Sequence, residues 1–214
     1  MYHVKEAFYT LQGEGGQTGR ASVFCRFSGC NLWSGRERDR SAAVCRFCDT
    51  DFVGTDGQNG GRFAAAAALA DHLTRLWPDQ QGVATPYVVF TGGEPLLQLD
   101  EALIRAMHER GFEVAVETNG TLPAPAGIDW LCVSPKGEAP LAITAGDELK
   151  LVFPQADAPP ERFTRLDFSH FFLQPLDTTP TGGGGDSMSR AVAYCLAHPQ
   201  WRLSLQTHKI TGID

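Results

Sequence analysis

A chain of 214 residues with 43% hydrophobic and 20% charged content has ordinary globular composition and the size of one domain, residues 1–214. Its formal charge of -7 argues against a sequence-independent grip on phosphate backbones, so no direct nucleic-acid partner is expected. No apolar run is long enough to span a bilayer and MYHVKEAFYT lacks the charged-then-apolar order of a signal peptide, so a cytoplasmic location and no membrane partner are expected.

In chain order, ASVFCRF reads as a strand and the Ala-rich FAAAAALADHLTRLW as a helix, followed by the strand-like YVVFTGG. LDEALIRAMHERG is the clearest helix: Asp100 is a plausible N-cap, Leu103, Ile104 and Met107 have helical spacing, and Gly111 is a stop. FEVAVETNG, IDWLCVSPK, DELKLVFP and FFLQPLD then read as strands; SMSRAVAYCLAHPQW reads as a last helix closed by Pro199, and WRLSLQTHK as a final strand. TTPTGGGGDS reads as a flexible exposed loop. Runs rich in Val, Leu and Phe that end in polar residues or glycine imply parallel strands buried on both faces, with functional loops at their C-terminal ends. The expected fold is α/β, a partial (β/α) barrel of about six mainly parallel strands.

Six cysteines in a reducing compartment suggest metal ligands or buried small hydrophobes rather than disulfides. Cys25, Cys132 and Cys195 sit in apolar contexts that suit packing. Cys30, Cys45 and Cys48 form C-x14-C-x2-C, with an insertion at about 31–44. As a zinc site the trio lacks a fourth ligand, since His3 and His72 have no ligand-like spacing to it, though structural zinc stays open. As a 4Fe-4S site, three thiolates leave one iron open to an exogenous ligand, and an open iron implies chemistry rather than electron transfer alone.

A cysteine followed by a C-x2-C pair after a strand, with GGEP at the end of another, resembles the radical S-adenosylmethionine (SAM) superfamily, whose usual spacing is C-x3-C-x2-C. The longer spacing resembles a subgroup of the 7-carboxy-7-deazaguanine synthases. FYTLQGEGGQTGRASVFCRFSGCNLW is similar to that family's N-terminal signature, and CDTDF, TGGEP, ETNG, SPK, QPLD and QTHK follow in the family's order, so the likeness runs from about Val4 to Lys209.

The resemblance implies a modified radical SAM core and a carbon-nitrogen lyase that contracts the ring of 6-carboxy-5,6,7,8-tetrahydropterin, for 7-deazapurine (queuosine) biosynthesis. It implies a 4Fe-4S cluster on Cys30, Cys45 and Cys48. SAM would lie against Phe47, Cys48, Asp49, Gly93, Glu94, Ser134, Pro135, Lys136, Gln174, Pro175, Leu176 and Asp177. Thr50 would ligate Mg2+ together with the substrate carboxylate, in keeping with an ion that retains water and substrate oxygens. The pterin would meet Leu11, Gln12, Gly13, Glu14, Arg26 and Thr91, with Glu117 and His208 completing the shell and serving as candidate bases. Arg26 offers a guanidinium fork for the carboxylate, and Gln12 and Glu14 an amide and a carboxylate for the pyrimidine edge. A homodimer and a reductant such as flavodoxin are implied as well.

Each of these residues has a plainer reading. TGGEP can be a strand-ending turn, Thr50 a cap beside Asp49, Glu14 a solvated loop charge, Arg26 a surface ion pair and His208 a structural histidine. Two rival functions also stand. One is an activase abstracting hydrogen from a partner protein's glycine, for which QGEG would have no task. The other is a zinc-binding or electron-transfer module, which anaerobic reconstitution would distinguish by colour.

Overall fold

The structure is a computed structural model that describes residues 1–78, 82–177 and 186–213. Its strands are β1 (Tyr2–Leu11), β2 (Ala21–Phe27), β3 (Gly61–Phe63), β4 (Tyr87–Gly92), β5 (Glu113–Thr118), β6 (Trp130–Val133), β7 (Ala145–Phe153), β8 (Asp167–Pro175) and β9 (Trp201–Leu203). The helices are α1 (Ala66–Thr74), α2 (Glu101–His108), α3 (Ser187–Ala197) and α4 (Thr207–Thr211). One sheet in the order β3-β1-β2-β4-β5-β6-β7-β8-β9 takes up the strands of the described residues. From β2 to β9 every neighbouring pair is parallel, while β1 pairs antiparallel with both β2 and β3.

The mainly parallel α/β expectation holds, with nine strands rather than about six. The two unforeseen strands are the antiparallel ones. A register shift between Val4 and Glu6 breaks the alternation of β1, and β3 has three residues. WRLSLQTHK is strand only over Trp201–Leu203; its end is the short helix α4. Asp100 does cap α2, accepting a hydrogen bond from the Leu103 amide at 2.9 Å, and Gly111 follows at φ +79, a conformation that a side chain would oppose. Most of the predicted TTPTGGGGDS loop, 178–185, lies outside the described residues.

Strand alternation divides the side chains into two sets. The outward set of β2, β4 and β5 (Val23, Cys25, Phe27, Val88, Phe90, Val114, Val116) packs with Leu69 and Leu73 of α1 and Leu103, Ile104 and Met107 of α2. A second outer core joins Val133, Leu149, Leu151, Phe171 and Leu173 to Ala191 of α3 and Trp201. Each fully buried Leu, Ile or Met of these cores contributes up to about 1.5–3 kcal/mol. The inward set includes Arg26, Thr91, Glu117, Lys150, Val152 and Gln174, and all of these line one cavity.

The loop after β1 shows how the sheet curls. Although β1 lies near one edge and β9 at the other, Gly15 N donates to Ser204 Oγ at 2.9 Å and Thr207 N to Gly13 O at 3.0 Å. The two sides of the sheet are thus tied across its mouth, as in a partial barrel.

Candidate active site

The cavity measures about 470 Å³ and opens where the parallel strands end. Register sets its wall: Arg26 lies beside Thr91, Glu117 beside Cys132, Cys132 beside Glu148, and Val152 beside Gln174. All the predicted site residues line this space except Cys30, Glu94 and Pro135. Cys30 packs instead with Trp33, Ala43 and Phe52 beneath the cysteine loop, and Pro135 is buried.

The loop Gln12–Glu14 carries the densest polar network. Gln12 Nε2 donates to Glu117 Oε1 at 2.9 Å, while Glu14 Oε1 accepts from Gln174 Nε2 at 2.9 Å and Gln206 Nε2 at 3.1 Å. Beneath them the Lys150 ammonium lies 2.7 Å from Glu14 Oε2 and 3.4 Å from Glu117 Oε1, without a well-angled hydrogen bond to either. Burial alone would push the Glu14 carboxyl up, but the Lys150 charge, aided by Gln206 and His208, outweighs it and holds the carboxyl down at about 2. Lys150 responds reciprocally: burial would lower its ammonium, yet Cys132, Glu117, Glu14 and Glu148 together raise it well above the ordinary lysine range. Glu14 is therefore a fixed acceptor, not a solvated loop charge.

TGGEP is more than a turn. Glu94, wholly buried, accepts from Leu96 N at 2.9 Å, Thr118 Oγ1 at 2.7 Å and Asn119 N at 2.8 Å, which wires it to ETNG. Burial pushes its carboxyl up against those three bonds. Its role in the structure is to brace the two loops. Gly93 then needs to be glycine: a Cβ there would run into Gly29 O and come within 2.8 Å of Cys30 Cβ, so TGG lies directly against the start of the cysteine loop.

The three thiols gather on that side. Cys45 feels the charge of both Cys30 and Cys48, Cys30 feels that of Cys48, and Lys136 lies close enough to favour thiolate at Cys45 and Cys48. The Cys45 thiol donates to Cys48, which brings Cys48 down to about 6 and pushes Cys45 up, while burial raises Cys30. Among the described residues no group of three or more His, Cys, Asp or Glu is set to hold a single metal ion. A set of three thiols, two of them flanked by Lys136, is the donor chemistry that a 4Fe-4S cluster takes. The insertion before Cys45 carries a 3-10 helix, Glu37–Ala42, and Arg40 from it stacks on Trp33 and donates to Arg46 O and Cys48 O, both at 3.0 Å.

Thr50 reaches the cavity between two acidic neighbours held by lysines: Lys209 lies 3.0 Å from Asp49, and Lys5 lies 2.9 Å from Asp51. A lone hydroxyl there fits a cation that arrives with further oxygen ligands, as Mg2+ with a carboxylate would. Arg26 is anchored through Nε to Glu6 at 2.7 Å, a cavity-lining pair rather than a surface one. His208 packs on Gly13, where a Cβ would collide with its ring, so α4 closes one side of the mouth. Lys209 also lies 2.6 Å from Asp177, and thereby joins the cysteine loop to the end of β8.

Several residues of the site were not predicted. Lys150, Glu148, Gln206, Thr118 and Asn119 belong to runs read only as strands or motif flanks. The signal available for the first two was their spacing: Glu148 and Lys150, two apart in an otherwise apolar run, share one strand face. Of the cysteines assigned to packing, Cys25 lies in the outer core and Cys195 is half-buried against the second one. Cys132 is buried on the inner face between Glu117 and Glu148.

No protein-family model matches the chain. It is 66% identical to the 7-carboxy-7-deazaguanine synthase of Bordetella pertussis and 64% identical to that of Caulobacter vibrioides, each alignment covering 99% of both proteins. At 26% identity the crystal structure of QueE from Escherichia coli superposes with a TM-score of 0.66 over 95% of this chain and 93% of that one. With that kinship along nearly its whole length, this chain belongs to the 7-carboxy-7-deazaguanine synthase family of enzymes.

Proposed function

We propose that the enzyme converts 6-carboxy-5,6,7,8-tetrahydropterin into 7-carboxy-7-deazaguanine with loss of ammonia, using a 4Fe-4S cluster, SAM and Mg2+, as a step toward queuosine. The observation that carries the reading is the meeting in one cavity of the CRFC loop and a carboxylate-amide set built by Gln12, Glu14 and Glu117. The reaction loses one ammonia and needs no net oxidation or reduction of the pterin. The cluster and SAM, when bound, supply reversible hydrogen-atom abstraction, a chemistry that side chains lack.

The rest falls to the protein. Cys30, Cys45 and Cys48 would hold the cluster, while Gly93, Ser134, Lys136 and the segment Gln174–Asp177 would hold SAM from the ends of β4, β6 and β8. Gln12, Glu14 and Glu117 take the donor-rich pyrimidine edge, and Arg26 and Thr50, the latter through Mg2+, take the carboxylate. Glu117 and His208 flank the ring from opposite elements, and either can accept the proton released late in the sequence. α4, pinned to Gly13 by Thr207, excludes water from that side. A reduced flavodoxin-type donor, a homodimer and a cytoplasmic setting complete the reading.

The test is an anaerobic assay of reconstituted protein with SAM, reductant and the carboxy-tetrahydropterin, following product and its Mg2+ dependence. Product formation and an altered Mg2+ response in Thr50→Ala are expected. No product from protein containing iron and sulfide would overturn the reaction, and an unchanged metal response would remove Thr50 from the magnesium site.

A further inference from the structure

Lys150 has no part in the chemistry set out above, yet it is 3% exposed at the floor of the cavity. Strand β7 delivers it: Leu149 and Leu151 go to the outer core, so Glu148, Lys150 and Val152 face inward. Its ammonium bridges two carboxylates that arrive from separate parts of the chain, Glu14 on the loop after β1 and Glu117 on β5. We propose that Lys150 is a positioning residue for substrate binding, which holds Glu14 and Glu117 side by side as hydrogen-bond acceptors for the N–H edge of the pterin ring. The inference rests on the pterin reading of the cavity.

The charge inventory around the ammonium supports this role. Facing it are Glu14, Glu117, Glu148 of its own strand, Cys132 of β6 and, beyond Glu14, His208 of α4, while Tyr87 of β4 shares Glu117, Glu148 and Cys132 as neighbours. Glu148 is already engaged by the Gly16 amide at 2.7 Å, and burial keeps the Cys132 and Tyr87 side chains protonated. Lys150 therefore serves the remaining two carboxylates. Gln174 and Gln206 hold the other oxygen of Glu14, and Gln12 shares Oε1 of Glu117 with the ammonium, so the ammonium closes a bonded frame.

A 2-amino-4-oxo-pyrimidine ring presents adjacent ring and exocyclic N–H donors, which carboxylates receive well only when ionised. Without the lysine charge, burial would favour a protonated Glu14, and an O–H would then meet the ring's own donors.

The test uses the full-length enzyme reconstituted with cluster, SAM and Mg2+ but given no reductant, so that nothing turns over. Its probe is 6-carboxypterin, the fluorescent oxidised relative of the substrate, titrated between about pH 8 and about pH 5. Wild-type affinity should change by less than about threefold over that range, because Glu14 stays ionised throughout. Lys150→Met should bind about tenfold or more weakly near neutrality and lose further affinity as the pH falls, while Lys150→Arg recovers part of the loss.

An affinity in Lys150→Met within about twofold of wild type, with an equally flat profile, would overturn the proposal. Should Lys150→Met not fold, as judged by circular dichroism, Lys150→Gln decides in the same titration: a loss of about tenfold or more near neutrality supports the proposal, and an affinity within about twofold of wild type overturns it. Failure of folded wild-type enzyme to bind the probe at all would instead overturn the pterin reading, and the proposal with it.

Discussion

The Glu14–Lys150 pair makes the stability of this protein depend on acid in a way that one substitution isolates. Glu14→Gln keeps the shape of the side chain and the amide contacts at Oε1 but removes the charge that Lys150 opposes. In the folded protein the Glu14 carboxyl is held at about 2 against an ordinary value of 4.5. A folded value below the unfolded one favours folding while the carboxylate is ionised in both states, and the advantage fades as the unfolded chain begins to bind a proton.

The linkage contributes roughly 3 kcal/mol near neutrality, since each unit is worth about 1.4 kcal/mol. Less than about a third of that is lost by about pH 4, roughly two fifths is gone by about pH 3.5, and the remainder fades toward about pH 2. Urea unfolding of wild type and Glu14→Gln in parallel measures the difference, and every other titrating group cancels between them. The gap should be widest near neutrality and narrow by roughly two fifths at about pH 3.5. A gap that keeps the same size at both pH values would show that Lys150 does not outweigh burial at Glu14, and the account of the cavity floor would fail.

Two further outcomes are expected. Gly93→Ala pushes a methyl group against Gly29 O and Cys30 and should destabilise the fold by about 1–3 kcal/mol in the same urea assay. It should also lower the iron and sulfide retained after anaerobic reconstitution, and full retention would show that TGG does not shape the cysteine loop. Lys209→Met removes two ion pairs at a side chain 39% exposed, so stability should change by less than about 1 kcal/mol. The KM for the pterin should rise with α4 loosened, and an unchanged KM would mean that the Asp49–Lys209–Asp177 bridge does not order the mouth.

The parts of this molecule legible in the sequence are those where chemistry imposes a local pattern. CRFC, TGG and QGEG each declare themselves within a few residues, and the structure brings them to one cavity. Asp100 and Gly111 bound α2 because capping and left-handed backbone are local requirements. Less legible were features that depend on pairing. β1 escaped because the shift between Val4 and Glu6 moves successive buried residues off a two-residue period. Glu94 falls in a motif that points to a ligand, and only its neighbours distant in sequence, Thr118 and Asn119, determine that its carboxylate also braces ETNG.

Lys150 shows the same limit at the floor of the site. In a parallel sheet covered on its outer face, apolar residues fill one side of each strand, and a polar residue on the other side reads as an interruption. In DELKLVF the interruptions at Glu148 and Lys150 are two apart and flank Leu149, which lies in the outer core, so they share the inner face. What the strand alone could not reveal is that its neighbours bring Glu117 across β6, and that the loop after β1 folds over to add Glu14. A buried lysine is costly until it is paired, and here its partners come from the two sides of the cavity. The ion pair therefore forms only when the sheet has curled and the loop has closed, which ties the electrostatics of the cavity to completion of the fold.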